Sequence, residues 1–138
     1  MKFKRILVPI DKSDKTLESI KTLTTLFPKE EVEIILLHVI DEIKIQSVDY
    51  VSSEFMDAIT TLSHTVLNRA GDLLQGYQVE KISTLGNPAK EIFDTIKNKN
   101  IHLVIMTKTG QGVLDKYIIG SVTSKIVKKS EVPIMIIP

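Results

Sequence analysis

The sequence predicts a single α/β domain built on an open, five-stranded parallel sheet with helices on both faces. Three observations carry that reading. Five short apolar runs rich in β-branched residues recur along the chain: Ile6–Ile10, Val32–Val39, Val79–Leu85, Ile101–Met106 and Val132–Ile137. The stretches between them place apolar residues at helical spacing. The two patterns alternate strictly as β-α-β-α-β-α-β-α-β, and such alternation yields parallel strands joined by right-handed helical crossovers.

Four of the five runs are nearly continuous, as expected of strands covered on both faces. The third, Val79–Leu85, mixes Val79, Ile82 and Leu85 with polar residues and reads as an edge strand. In the first helix Leu17, Ile20, Leu23 and Phe27 form one face, and Pro28 ends it. The second keeps the period through Phe55, Ile59, Leu62, Val66, Ala70 and Leu73, with Ser52 or Ser53 as N-cap and Gly76 as its stop. The third opens at Asn87-Pro88, an N-cap residue followed by proline at the first helical position, and turns Ala89, Ile92, Phe93 and Ile96 inward. The fourth starts near Gly120-Ser121 and is expected to bury Val122, Ile126 and Val127. Lys125, Lys128 and Lys129 lie toward its C-terminal end, where positive charge suits the helix dipole. Two connections are longer than the fold requires, Ile40 to Ser53 and Lys108 to Ile119. Long connections of this kind serve as lids, binding loops or partner contacts, or simply as surface loops.

Composition narrows the function classes. The chain has 138 residues, 43% hydrophobic and 25% charged, the proportions of a soluble globular domain. It contains no cysteine, which removes disulfide frameworks, thiolate zinc sites, iron–sulfur clusters and cysteine nucleophiles. A net charge of +1 and the absence of Trp argue against a nucleic-acid partner. No apolar run approaches the length of a membrane span or a secretory signal core, so the expectation is a cytoplasmic protein without membrane contact.

Open parallel sheets bind ligands outside the carboxyl ends of the strands, where the strand order reverses. Two segments at those ends carry suitable chemistry. Pro9-Ile10-Asp11-Lys12-Ser13 follows the first run, and Thr107-Lys108-Thr109-Gly110-Gln111-Gly112 follows the fourth, with Gly120-Ser121-Val122 beyond it. Glycine lets backbone N–H groups approach an anion, and a helix start adds free donors and a positive dipole end. Ser121 has a hydroxyl for the same oxygens. Plain turns at Gly112 and Gly120, with Ser121 as a helix cap, fit the same residues. Asp11 likewise has two readings, a ligand contact or a cap of the turn that follows, and Ser13 is a candidate cap of the first helix.

At these residues the chain resembles a universal stress protein domain, over nearly its whole length. Ile6-Leu7-Val8-Pro9-Ile10-Asp11-Lys12-Ser13 is similar to the family's first strand and Asp-x-Ser turn. Leu37-His38-Val39-Ile40 resembles the end of its second strand, Gly86-Asn87-Pro88-Ala89 with Ile92 its third turn and helix, and Ile126 to Pro138 its last helix and strand. The ATP-binding members carry Gly, two residues, Gly, nine residues, then Gly with Ser or Thr. Here Gly110 and Gly120-Ser121 match the later part, and Thr107 stands where the first glycine belongs.

The resemblance implies residues 1–138 as one Rossmann-like domain with strand order 3-2-1-4-5. It implies ATP as ligand, with Mg or Mn held by the phosphates. Adenine would meet the backbone of Val39, and Asp11, beside Pro9, Ile10 and Ser13, would face the ribose or the metal. Gly110, Gly120, Ser121 and Val122 would line the phosphates, with Thr107 and Lys108 at the same mouth. It also implies a homodimer through Val132 to Ile137, an apolar run that would otherwise be an exposed sheet edge.

Other chemistry has little support. His38, His64 and His102 sit apart from one another, and His38 reads as a hydrogen-bonded core or pocket-wall residue. The G-x-S-x-G elbow of a hydrolase triad and the P-loop pattern are missing; with no general base, P-loop lysine or arginine finger identified, any nucleotide turnover would be slow, and no catalytic residue is assigned. The expected function is a stress-response regulatory module that binds adenine nucleotide. The alternative is a dimeric interaction module of the same fold without nucleotide.

Overall fold

The computed structural model describes residues 3–108 and 119–138. Gly110 and Gly112 therefore lie outside the described residues. The elements run β1 (Arg5–Pro9), α1 (Asp14–Leu26), β2 (Glu33–Asp41), α2 (Glu42–Gln46), α3 (Ser53–Asp72), β3 (Gln78–Gly86), α4 (Pro88–Asn98), β4 (Leu103–Thr107), α5 (Ser121–Lys129) and β5 (Ile134–Ile137). All strand pairs are parallel, and the order is β3-β2-β1-β4-β5. The chain reverses direction across the sheet at β1 and β4, as expected.

Strand alternation sends successive side chains to opposite faces. Ile6, Val8, Ile10, Ile34, Leu36 and Ile105 pack on one face under Ile20 and Leu23 of α1 and Leu67 and Ala70 of α3. Leu7, Ile35, Leu37, Val104 and Met106 pack on the other under Ala89 and Ile92 of α4 and Ile126 of α5. Burial on both faces is why the central strands read as continuous apolar runs. As expected, β3 is an edge strand, yet with nine residues it matches β2 throughout, from Glu33↔Gln78 to Asp41↔Gly86. The caps follow local chemistry: Ser13, Ser52 and Asn87 accept N–H groups of the first turns of α1, α3 and α4.

Four expectations are corrected. The Ile40 to Ser53 connection contains α2, capped by Asp41, whose Oδ1 accepts from Ile43 N at 3.0 Å. Helix α3 ends at Asp72, before Gly76, which has φ +85° and shapes the turn into β3. The inner face of α3 is Ser63, Leu67 and Ala70, so Phe55, Leu62 and Leu73 are exposed, and Val127 of α5 is exposed as well. In α3 the apolar period is genuine, but its N-terminal half overhangs the end of the sheet, where no core exists to receive it.

Candidate functional site

The site grows from the ends of β1, β2 and β4. The β1–β2 ladder closes at Pro9↔Leu37, and Ile10 N donates to the Leu37 carbonyl at 2.8 Å. Backbone groups of a strand alternate between its two neighbours. Since Leu37 directs its carbonyl toward β1, Val39 directs its N–H and C=O the same way, past the point where β1 has ended. An adenine edge needs this kind of donor–acceptor pair.

Beyond Ile10 the chain turns sharply. Asp11 Oδ1 accepts from Ser13 N at 2.7 Å, and Ser13 Oγ accepts from Lys15 N at 3.0 Å. Thr16 Oγ1 donates to the Ser13 carbonyl at 2.8 Å. The capping roles weighed for Asp11 and Ser13 are therefore real: one bond fixes the Asp11 carboxylate and two more order the turn that follows it.

On the far side, β4 delivers Thr107. Its carbonyl accepts from Thr123 Oγ1 of α5 at 2.9 Å, and Lys108 O accepts from Gly120 N at 3.0 Å. Lys108 N donates to Ile137 O at 2.8 Å. These bonds pin the start of α5 to the ends of β4 and β5. Gly120 is the N-cap of α5 and makes no side-chain cap bond, and no acidic residue occupies the first turn. Among the described residues, nothing caps the N–H donors of that helix end or offsets the positive end of its dipole. Among the described residues, positive φ outside glycine occurs only at Asn100, so Thr107 occupies the glycine position of the motif with an ordinary backbone.

These segments enclose a cleft of about 350 Å³ on the α4–α5 side of the sheet. Pro9, Ile10, Asp11, Val39, Thr107, Gly120, Ser121 and Val122 all line it, with Lys44 of α2 on its rim. Thr107, almost buried, forms wall and leaves the cleft open. Two other residues singled out from the sequence are placed elsewhere. Ser13 lines a smaller cavity of about 180 Å³ between α1 and α3, and Lys108 is not among the cleft-lining residues, though its backbone bonds to Ile137 and Gly120. Gly110 falls outside the described residues. Sequence reasoning missed Lys44, Asp41 and Thr123. The first two come in with the unforeseen helix α2, and Thr123 follows only from seeing α5 docked on β4.

His38 lies on the opposite face of the sheet. Its Nδ1 and Ser63 Oγ are 2.7 Å apart, and Ser63 Oγ is 2.6 Å from Ser83 Oγ, a polar chain linking β2, α3 and β3. Burial pushes the His38 pKa below its ordinary value; Asp11 pulls it partly back and Lys12 presses it further down. Among the described residues no group of three or more His, Cys, Asp or Glu could hold a metal ion. No helix among them is long and apolar enough to cross a membrane.

Comparison with known proteins follows the same lines. The model of the universal stress protein family matches residues 2–138. Universal stress protein MJ0577 of Methanocaldococcus jannaschii is 27% identical over 153 residues, covering 98% of this chain and 94% of that protein. A solved structure of MJ0577 superposes with a TM-score of 0.82 at 28% identity, over 99% of this chain and 96% of that one. A universal stress protein from Archaeoglobus fulgidus in complex with dAMP aligns at TM-score 0.70 and 16% identity, with all of both chains covered. A universal stress protein in complex with cAMP aligns at TM-score 0.72 and 14% identity, covering 99% of this chain and 98% of that one. At these last two identities the likeness is one of fold.

Proposed function

We propose that this chain, which belongs to the universal stress protein family, is a regulatory module that binds an adenine nucleotide in the β1–β4 cleft. The observation that carries the reading is the assembly of that cleft. Eight residues named from the sequence converge on it from four separated segments. In the proposed pose the base meets the backbone N–H and C=O of Val39, and Asp11 faces the ribose. The phosphates lie at the uncapped start of α5, on the N–H groups of its first turn and the Ser121 hydroxyl. ATP is the proposed ligand, its charge balanced by Mg or Mn carried on the phosphates. Family structures in complex with dAMP and with cAMP support adenine as the recognised base. Thr107 narrows the mouth with a methyl and a hydroxyl but stands in the wall, which supports binding despite the missing glycine.

No general base, phosphate-binding lysine motif or arginine finger is assigned among the cleft residues, so the reading is one of binding with at most slow hydrolysis. Isothermal titration calorimetry with ATP and magnesium tests it. The expected result is saturable heat with one site per chain; no heat at millimolar ligand overturns it. We further expect a homodimer through Val132 to Ile137 in the cytoplasm, because β5 is an edge strand whose four apolar residues are all partly exposed. Light scattering should give twice the chain mass, and a monomer at tens of micromolar, an assay range chosen for mass action, would count against the pairing. A second reading, an interaction module with no nucleotide, draws on one observation: Asp11 Oδ1 is already engaged by Ser13 N. The same calorimetry separates the two.

A further inference from the structure

The apolar N-terminal half of α3 has a destination other than the core. Phe55, Ile59 and Leu62 stand with Ile40 and Ile45 around a second cavity of about 260 Å³ on the α3 side of the sheet. His38, fixed through Nδ1 by Ser63 at 2.7 Å, is in its wall. This lobe and the nucleotide cleft have Asp11, Val39, Asp41 and Lys44 in common, so the two meet over the carboxyl ends of β1 and β2. Phe55 and Leu62 remain 36% and 42% exposed, which leaves apolar surface on the wall for a ligand to cover. A concave, mostly apolar space with a few convergent polar groups is the form of a small-molecule site.

We propose that this lobe takes an apolar substituent carried on the base end of the bound nucleotide, making the ligand class N6-substituted adenine nucleotides. The inference rests on the nucleotide reading above. It follows from direction. With the phosphates at Ser121, the base reaches Val39, and Val39 is shared with the lobe. A group extending from the base beyond Val39 therefore passes over the ends of the strands and meets Ile40, Ile59 and Leu62. A group on the phosphate end would point the other way, toward α5. The side chains awaiting it are aliphatic or aromatic, while Asp11, Asp41 and Lys44 mark the rim, where the nucleotide itself is polar.

The test compares ATP with N6-benzyl-ATP by calorimetry on the full chain and on Leu62→Asn. The expected result is about tenfold tighter binding of N6-benzyl-ATP, the order of gain for burying much of one ring. In Leu62→Asn that advantage should vanish while ATP affinity holds and the circular dichroism is unchanged. Phe55→Ser, on the same wall, carries the same expectation should Leu62→Asn fold poorly. If ATP binds and N6-benzyl-ATP binds no tighter, the inference is overturned and the nucleotide reading stands. If Leu62→Asn weakens both ligands equally, the base itself occupies the lobe and the inference is again overturned. If neither ligand binds, the nucleotide reading falls and this inference falls with it.

Discussion

At the edge where the strands begin, side chains close on one another. Arg5 donates from Nη1 to Glu33 Oε2 at 2.6 Å and from Nε to the Lys99 carbonyl at 2.5 Å. His102 Nδ1 accepts from the backbone N–H groups of Arg5 at 3.0 Å and Lys4 at 3.2 Å, and Lys99 Nζ reaches Glu80 Oε2 at 2.8 Å. At the opposite edge the same sheet behaves differently. Asp11 and Asp41 each accept a backbone N–H two residues on, Lys44 enters no ion pair among the described residues, and a helix start stands uncapped beside open space. One edge spends its polar groups on contacts that tie β1 to β2, to the start of β4 and to the end of α4, and that tie α4 to β3. The other uses them locally, to shape turns around a cleft. The contrast separates what maintains the fold from what is available to a ligand.

Mutations at the two edges should therefore have opposite signatures. The largest effect is expected for Ser121→Asp. A carboxylate at the first turn of α5 suits the helix dipole and should leave thermal stability unchanged or raised. Facing the phosphates it should weaken ATP binding about a hundredfold, the order of one like-charge contact at a protein surface. Calorimetry and a thermal melt read the two halves, and a destabilised variant with normal affinity would break the comparison. Arg5→Met should show the reverse. Loss of two part-buried contacts should cost about 1–2 kcal/mol in urea unfolding with ATP affinity unaltered.

Thr107→Gly sharpens the contrast further, because Thr107 belongs to both the core and the cleft. Adding glycine to a strand end should cost about 1 kcal/mol of stability, while nucleotide affinity holds or improves. A drop in affinity would instead give the Thr107 side chain a contact of its own with the ligand. The smallest effect is the pH dependence of His38. Its folded pKa lies below the ordinary histidine value of 6.5 because of burial, so just below pH 6.5 the unfolded chain binds more protons than the folded one. Stability should be indifferent to His38 above that pH and fall as pH drops from 6.5 toward the lowered pKa. In His38→Asn the urea midpoint should lose that part of its slope, whatever its starting value.

The helix-capping residues, the central strands and the turn residues that follow β1 and β4 were legible in the sequence because each rests on a local rule, whereas Val39 entered the site only through the family resemblance. Val32 to Val39 read as a buried parallel strand from its near-continuous apolar run, Asn87-Pro88 announced a helix start, and Gly120-Ser121 marked a second. Helix α2 was hidden because Glu42 to Gln46 is too short for a period to show. The face of α3 was misjudged for a different reason. Phe55, Ile59, Leu62 and Val66 repeat as a core-facing stripe does, and periodicity records that a face is apolar without saying what lies opposite. Only the placement of α3 over the ends of the strands decides that Leu67 meets the core and Leu62 meets a cavity. Likewise His102 looked unremarkable until β1 and β4 were side by side, since its partners are 97 and 98 positions away in the chain. Alternation, caps and turns are properties of neighbours along the chain, and the amino-acid order determined them. The cleft, its second lobe and the closed opposite edge arise from contacts between distant segments, and those were decided only when the sheet brought the strand ends together.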